Sequence, residues 1–265
     1  MKFYSLFNSK KKIKRLNIYA FVAFIAIELI LLIFKVADFS IGIYGNNYAN
    51  DFTLPLALIV LVLYVLFIAC IYAVFCYLKN ASLFEECNQN KFLKMNSKKD
   101  NNKYLWHNKS VKLINNFYNG EFELSLVMFD ELLKADKLKG ENKQEFYRCA
   151  LFSAFFLEKR DLCEKYMNEY RYLFGTFGDS KEIVLSEIAF VDSYLKGKFN
   201  DAMDSLNSSD ELYNIHKSLY NYLKSMCFSK INNRDKLILS LEEVVKIDNK
   251  TYFASEAERI LNKIK

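Results

Sequence analysis

Apolar and polar positions along this chain fall into two regimes. Two long apolar runs come first, residues 16–36 and 54–78, separated by a short polar stretch. From Tyr104 onward the apolar residues recur at intervals of three and four, as in Leu113 and Phe117 and later in Phe122, Leu126, Phe129 and Leu133. That spacing places one side chain per turn on a common helical face, and strand-like alternation is absent. Polar breaks at Asn119-Gly120, Lys139-Gly140-Glu141, Gly175 to Ser180, Lys196-Gly197-Lys198, Asn207 to Asp210 and Asn232-Asn233 cut the pattern into helix-length blocks. The expected product is all-α: about eight helices in antiparallel pairs over residues 104–265, with a final capping helix over residues 254–264.

The two apolar runs predict a transmembrane hairpin. A helix needs roughly 20 apolar residues to cross the hydrocarbon core. The first run holds only Glu28 and Lys35 as charges, and the second holds none. Residues 1–15 form a basic tail with Lys2, Lys10, Lys11, Lys12, Lys14 and Arg15, and the loop at residues 37–53 carries only Asp38 and Asp51. Basic flanks stay inside, so the expected location is the cell membrane, multi-pass, with both termini cytoplasmic and the flanks drawn to anionic lipid. Residues 79–103 read as a juxtamembrane helix and linker. Glu28 is the thirteenth residue of its run, about 18 Å from the inner end at 1.5 Å per residue. Tyr64 on the returning helix lies near that depth, so Glu28 and Tyr64 form the expected intramembrane polar contact, within one hairpin or between copies in an oligomer.

Composition narrows the function classes. The net charge is +6, and the N-terminal tail alone supplies that amount. Residues 113–265 carry 22 basic against 25 acidic side chains. No basic face remains to follow a phosphate backbone, so nucleic acid is not an expected partner. Of six cysteines, no two have Cys-x-x-Cys spacing, and they read as small core residues rather than disulfides or zinc ligands. One proline and seven glycines suit long helices. Lysine well above arginine, with abundant asparagine, points to AT-rich coding and a bacterial source.

Internal similarity appears within the helical part. Gly120-x-Phe122-x-x-Ser125-x-x-x-Phe129 matches Gly197-x-Phe199-x-x-Ala202-x-x-x-Leu206, and a looser copy starts at Asn232 with Leu237 and Leu241 at the small and large positions. A further unit fits between them, turning near Lys159-Arg160-Asp161, with Phe152, Phe155 and Phe156 on its first helix and Leu162, Tyr166 and Tyr170 on its second. The glycine permits a left-handed turn, the small residue lets two helices approach, and the large one fills the groove beside it. These residues resemble the tetratricopeptide repeat (TPR) family, whose unit is about 34 residues, over roughly residues 106–248. The resemblance implies an α-α superhelical solenoid that binds another protein along the face made by the first helix of each pair. Carried onto this chain, that face comprises Phe156, Glu187, Tyr194, Tyr222 and Met226.

Catalytic or metal chemistry finds no pattern to stand on. The two histidines, His107 and His216, lack an i+4 ligand partner and read as surface residues. Gly175-Thr176-Phe177-Gly178 is a turn rather than a phosphate-binding loop. No enzyme activity, cofactor or metal is expected. The expected function is a membrane-anchored protein–protein interaction scaffold. The alternative is an accessory or immunity subunit acting through the hairpin on a transporter, channel or membrane-targeted toxin.

Overall fold

Each apolar block between polar breaks becomes a helix. The computed structural model describes residues 62, 67, 68, 71, 72, 74, 81–83, 85–98, 104–138, 143–172, 181–206, 212–248 and 250–264. Ten numbered helices lie among them: α1 (Gln89–Asn96), α2 (Leu105–Tyr118), α3 (Phe122–Lys134), α4 (Lys143–Phe156), α5 (Arg160–Arg171), α6 (Lys181–Leu195), α7 (Phe199–Ser205), α8 (Asn214–Lys230), α9 (Arg234–Ile247) and α10 (Tyr252–Ile264). No strand occurs among the described residues, so the all-α class stands. The chain divides into two units, Met1–Leu78 and Lys79–Lys265, and all ten helices belong to the second. In the first unit the described residues, Val62, Phe67, Ile68, Ile71, Tyr72 and Val74, are helical.

The expected multi-pass membrane location requires correction. No helix among the described residues is long and apolar enough to cross a membrane. Even α4, buried on nearly every side, has only 14 residues and carries Glu145 and Arg148, against the roughly 20 apolar residues a crossing needs. The numbered helices bury their apolar faces on one another instead. Residues 16–36, with Glu28, lie outside the described residues, as does most of 54–78, with Tyr64.

Four short connections share one construction. α2 joins α3, α4 joins α5, α6 joins α7 and α8 joins α9 through a residue with positive φ: Gly120 (80°), Glu158 (56°), Gly197 (74°) and Asn232 (58°). In each, the next amide reaches back five residues to close the preceding helix: Glu121 to Asn116, Lys159 to Ala154, Lys198 to Ser193 and Asn233 to Phe228, at 2.8–2.9 Å. This is the Schellman closure, which satisfies carbonyls a helix end would otherwise leave open. The same four residues then serve as N-cap of the following helix, with ψ between 61° and 84°. Connections this tight make each pair antiparallel.

The second of these turns carries no glycine. Glu158 occupies the left-handed position, just before the expected Lys159-Arg160-Asp161 turn. An L-residue there costs roughly 1–2 kcal/mol, partly offset by the freedom glycine would have in the unfolded chain. Glu158→Gly is therefore expected to stabilise the protein by up to about 1 kcal/mol. A rise in thermal midpoint measured beside wild type checks it.

Five residues after each positive-φ position comes a tight interhelical contact. Ser125, Cys163 and Ala202 are fully buried there, and Leu237 is half-buried. Ser125 Oγ donates to the Leu113 carbonyl across the pair at 3.1 Å, which satisfies its hydroxyl without water. Four residues further, Phe129, Met167, Leu206 and Leu241 are all buried.

Helix α4 is the axis of this unit. It packs against α2, α3, α5 and α6. Its end meets an aromatic cluster: Phe156 stacks on Phe122 at 4.8 Å and approaches Phe253 of α10 at 5.6 Å. Phe253, wholly buried, also meets Phe117 of α2 and Tyr222 of α8 at 5.7 and 5.5 Å. The last helix thus fills the space where the first helices of three pairs converge. Its start is held by Asp248, whose carboxylate accepts from the Ser218 hydroxyl, the Thr251 hydroxyl and the Lys250 and Thr251 amides.

Candidate functional site

An all-round apolar helix cannot carry charge without a partner, and α4 carries two charges one turn apart. Arg148 and Glu145 form an i,i+3 ion pair in which Arg148 Nη1 donates to Glu145 Oε2. From α6, Glu187 presents Oε1 to Arg148 Nε at 2.6 Å. Glu187 is fully buried and Arg148 is 3% exposed. Arg148 and Glu187 each stand ten residues before a positive-φ turn residue, so equivalent positions of two successive first helices supply the pair.

Tyrosines and a histidine complete the cluster. Tyr170 of α5 and Tyr220 of α8 donate to Glu187 at 2.9 and 2.7 Å, and Tyr118 of α2 donates to Glu145 at 3.0 Å. His216, in the first turn of α8, brings Nε2 to 2.9 Å from Arg148 Nη1 and 3.4 Å from Glu145 Oε2. A guanidinium only donates. The shorter contact therefore makes Nε2 an acceptor, which assigns a neutral ring with its proton on Nδ1. The expectation that His216 is a surface residue is corrected: it is 6% exposed. His107 is half-buried, and its Nε2 donates to the Asn96 carbonyl at 2.8 Å.

The electrostatics follow from this arrangement. Burial pushes the Glu145 carboxyl up. The Arg148 guanidinium, the His216 ring and the Tyr118 hydroxyl together outweigh it, and the carboxyl is lowered to about 2. For His216, burial and then Arg148 press the ring below its ordinary value, against the opposing pull of Glu145 and Glu187. His216 also belongs to the first turn of its helix, where a positive charge is disfavoured. Burial raises the tyrosine hydroxyls Tyr118, Tyr170 and Tyr220 well above their usual value, and the neighbouring carboxylates add to the rise. They remain donors across the working range. Four described cysteines, Cys87, Cys149, Cys163 and Cys227, are free and buried. Burial lifts Cys163 to about 11 and Cys227 to about 12, which leaves neither thiol reactive.

The expected partner face is split by the fold. Glu187 belongs to the ion cluster and Tyr222 packs inside against Phe253. Phe156, Tyr194 and Met226 are half-buried. Phe156 lies 6.2 Å from Tyr222 ring to ring, while Tyr194 packs instead on Phe155, Phe190 and Phe199 at 5.0, 5.8 and 5.2 Å. Sequence reasoning missed Arg148 and His216. The available signal was Glu145 and Arg148, three apart, at the start of Glu145-Phe146-Tyr147-Arg148-Cys149-Ala150-Leu151-Phe152, a run with no polar face to receive them.

No protein-family model matches the chain, and no curated protein or solved structure matches it.

Proposed function

We propose that residues 104–265 act as a protein-interaction scaffold of TPR-like construction, an α-α solenoid closed at its end by α10. The observation that carries this reading is the recurrence of one turn geometry at 120, 158, 197 and 232, intervals of 38, 39 and 35 residues. TPR units are about 34 residues long, and units of that kind bury their apolar faces only against their neighbours. The small and large positions behind each turn keep the same register. The partner is another protein, and it meets the half-buried Tyr194 and Met226 of the first-helix face. A chain built this way works by holding a partner in place.

Photo-cross-linking in the native cell tests it. A benzophenone side chain is placed singly at Tyr194 or Met226, and as a control at Leu239 on α9, which is 61% exposed. The expected result is a discrete adduct with one other protein from the first two positions and none from Leu239. Adducts only between copies of the chain, or the same adducts from all three positions, would overturn the proposal.

A further inference from the structure

We propose that the Glu145–Arg148–Glu187–His216 cluster is a pH-responsive clasp, which releases the first turn of α8 when His216 takes up a proton. The geometry carries the argument. Arg148 is the shared donor of the cluster: Nε serves Glu187 on α6, and Nη1 serves both Glu145 on its own helix and His216 on α8. The contact to α8 exists only while Nε2 has a free lone pair. A proton on Nε2 sets two cations face to face at 2.9 Å in a buried site. Glu145 Oε2, at 3.4 Å, is an alternative acceptor for the new N–H, and the ring would share it with Arg148. Glu187 already accepts from Arg148, Tyr170 and Tyr220, and Tyr118 donates to Glu145. Cys149 lies beyond Glu145, and Tyr213 presents a ring at 5.9 Å. Proton uptake is therefore easier when the first turn of α8 has left the cluster.

That first turn also holds a second segment. Asn214, two residues before His216, donates from Nδ2 to the Glu85 carbonyl at 2.9 Å. Opening α8 at this end frees one hold on the segment that leads into α1, while Lys250 Nζ on the Glu86 carbonyl and Gln89 Nε2 on the Tyr118 carbonyl keep others. The clasp thus couples one histidine to the seating of residues 85–98. It stands independently of the partner reading.

The sign is fixed by linkage. A base whose pKa is lower in the closed state makes opening more favourable as pH falls. The opening constant rises by up to tenfold per pH unit below about 6.5, the value of a free histidine. The test is amide hydrogen exchange on the full chain from pH 7.5 to 5.0, corrected for intrinsic rates, together with the ring titration of both histidines by NMR. Glu145, held at about 2, does not contribute in that window. The expected result is acid-enhanced exchange in the first turn of α8 and in residues 85–98, lost in His216→Gln and kept in His107→Gln. A His216 ring that titrates at or above the value of an unstructured peptide would overturn the clasp, and so would equal acid enhancement in wild type and His216→Gln. The wild-type ring titration decides the matter even if His216→Gln folds poorly.

Discussion

Replacing Arg148 by methionine is expected to cost about 3–5 kcal/mol of folding stability at pH 7.5, read by urea denaturation of the full chain. The magnitude comes from the partners left behind rather than from the lost pair. Arg148 is the cation between Glu145 and Glu187, and Glu187 is fully buried. A buried carboxylate without its cation is strained until it protonates. The pH dependence then inverts. In wild type, His216 is depressed, so stability falls as pH drops below about 6.5, because the unfolded chain binds a proton that the folded cluster refuses. Glu145 adds a second loss as pH falls from the ordinary carboxylate range toward about 2. In Arg148→Met the buried acids are left without their cation, so the loss is largest at high pH and shrinks as pH falls. Opposite slopes between pH 7.5 and 5.5 are the result that distinguishes a charge effect from simple loss of packing. The triple variant with Glu145→Gln and Glu187→Gln is expected to recover most of the loss at pH 7.5, since no unpaired buried charge remains. If the triple is as unstable as the single, the cluster acts through shape alone and the electrostatic account fails.

This cluster marks the limit of what the sequence discloses. Period and punctuation, both local, were enough to delimit the helices: Leu113 and Phe117 lie on one face, and Gly120 and Gly197 stop one helix and start another. The match between Ser125 and Ala202 was also legible, because each sits at a fixed distance from its glycine. The turn near Lys159-Arg160-Asp161 was legible too, but the left-handed residue that makes it, Glu158, was not. Nothing in a glutamate announces a left-handed backbone, and the register of that pair becomes visible only through the amide of Lys159 reaching Ala154. The partner face suffered from the same cause at longer range. The capping helix was placed from Ala254, one residue after Phe253, and Phe253 is the side chain that fills the meeting point of α2, α4 and α8. A helix that caps a stack and a helix that plugs it share one apolar stripe, and only contacts between distant residues separate them. Arg148, Glu187 and His216 lie 39 and 29 residues apart along the chain, so no local pattern links them. Hydropathy alone led to the membrane location, which the described helices do not uphold.

Gly120 and Gly197 occupy the same place in the matched motif, yet alanine at the two positions is expected to have unequal effects. Both residues have positive φ, 80° and 74°, so each alanine carries a backbone penalty of about 1 kcal/mol. At Gly197 that is the whole cost, because a Cβ meets nothing within 4 Å. At Gly120 the Cβ would overlap the ring of Tyr252. That ring has little room to retreat, since it packs edge-on against Phe122 at 5.3 Å and against Phe253 at 5.6 Å. Overpacking of this kind adds about 1–3 kcal/mol. Gly120→Ala should therefore lose about 2–4 kcal/mol and Gly197→Ala about 1, measured side by side by urea denaturation. A second variant isolates the cause. In Tyr252→Ala the overlap is gone, so adding Gly120→Ala to that background should cost only the backbone penalty. If Gly120→Ala is equally costly with and without the Tyr252 ring, α10 does not press on the α2–α3 turn.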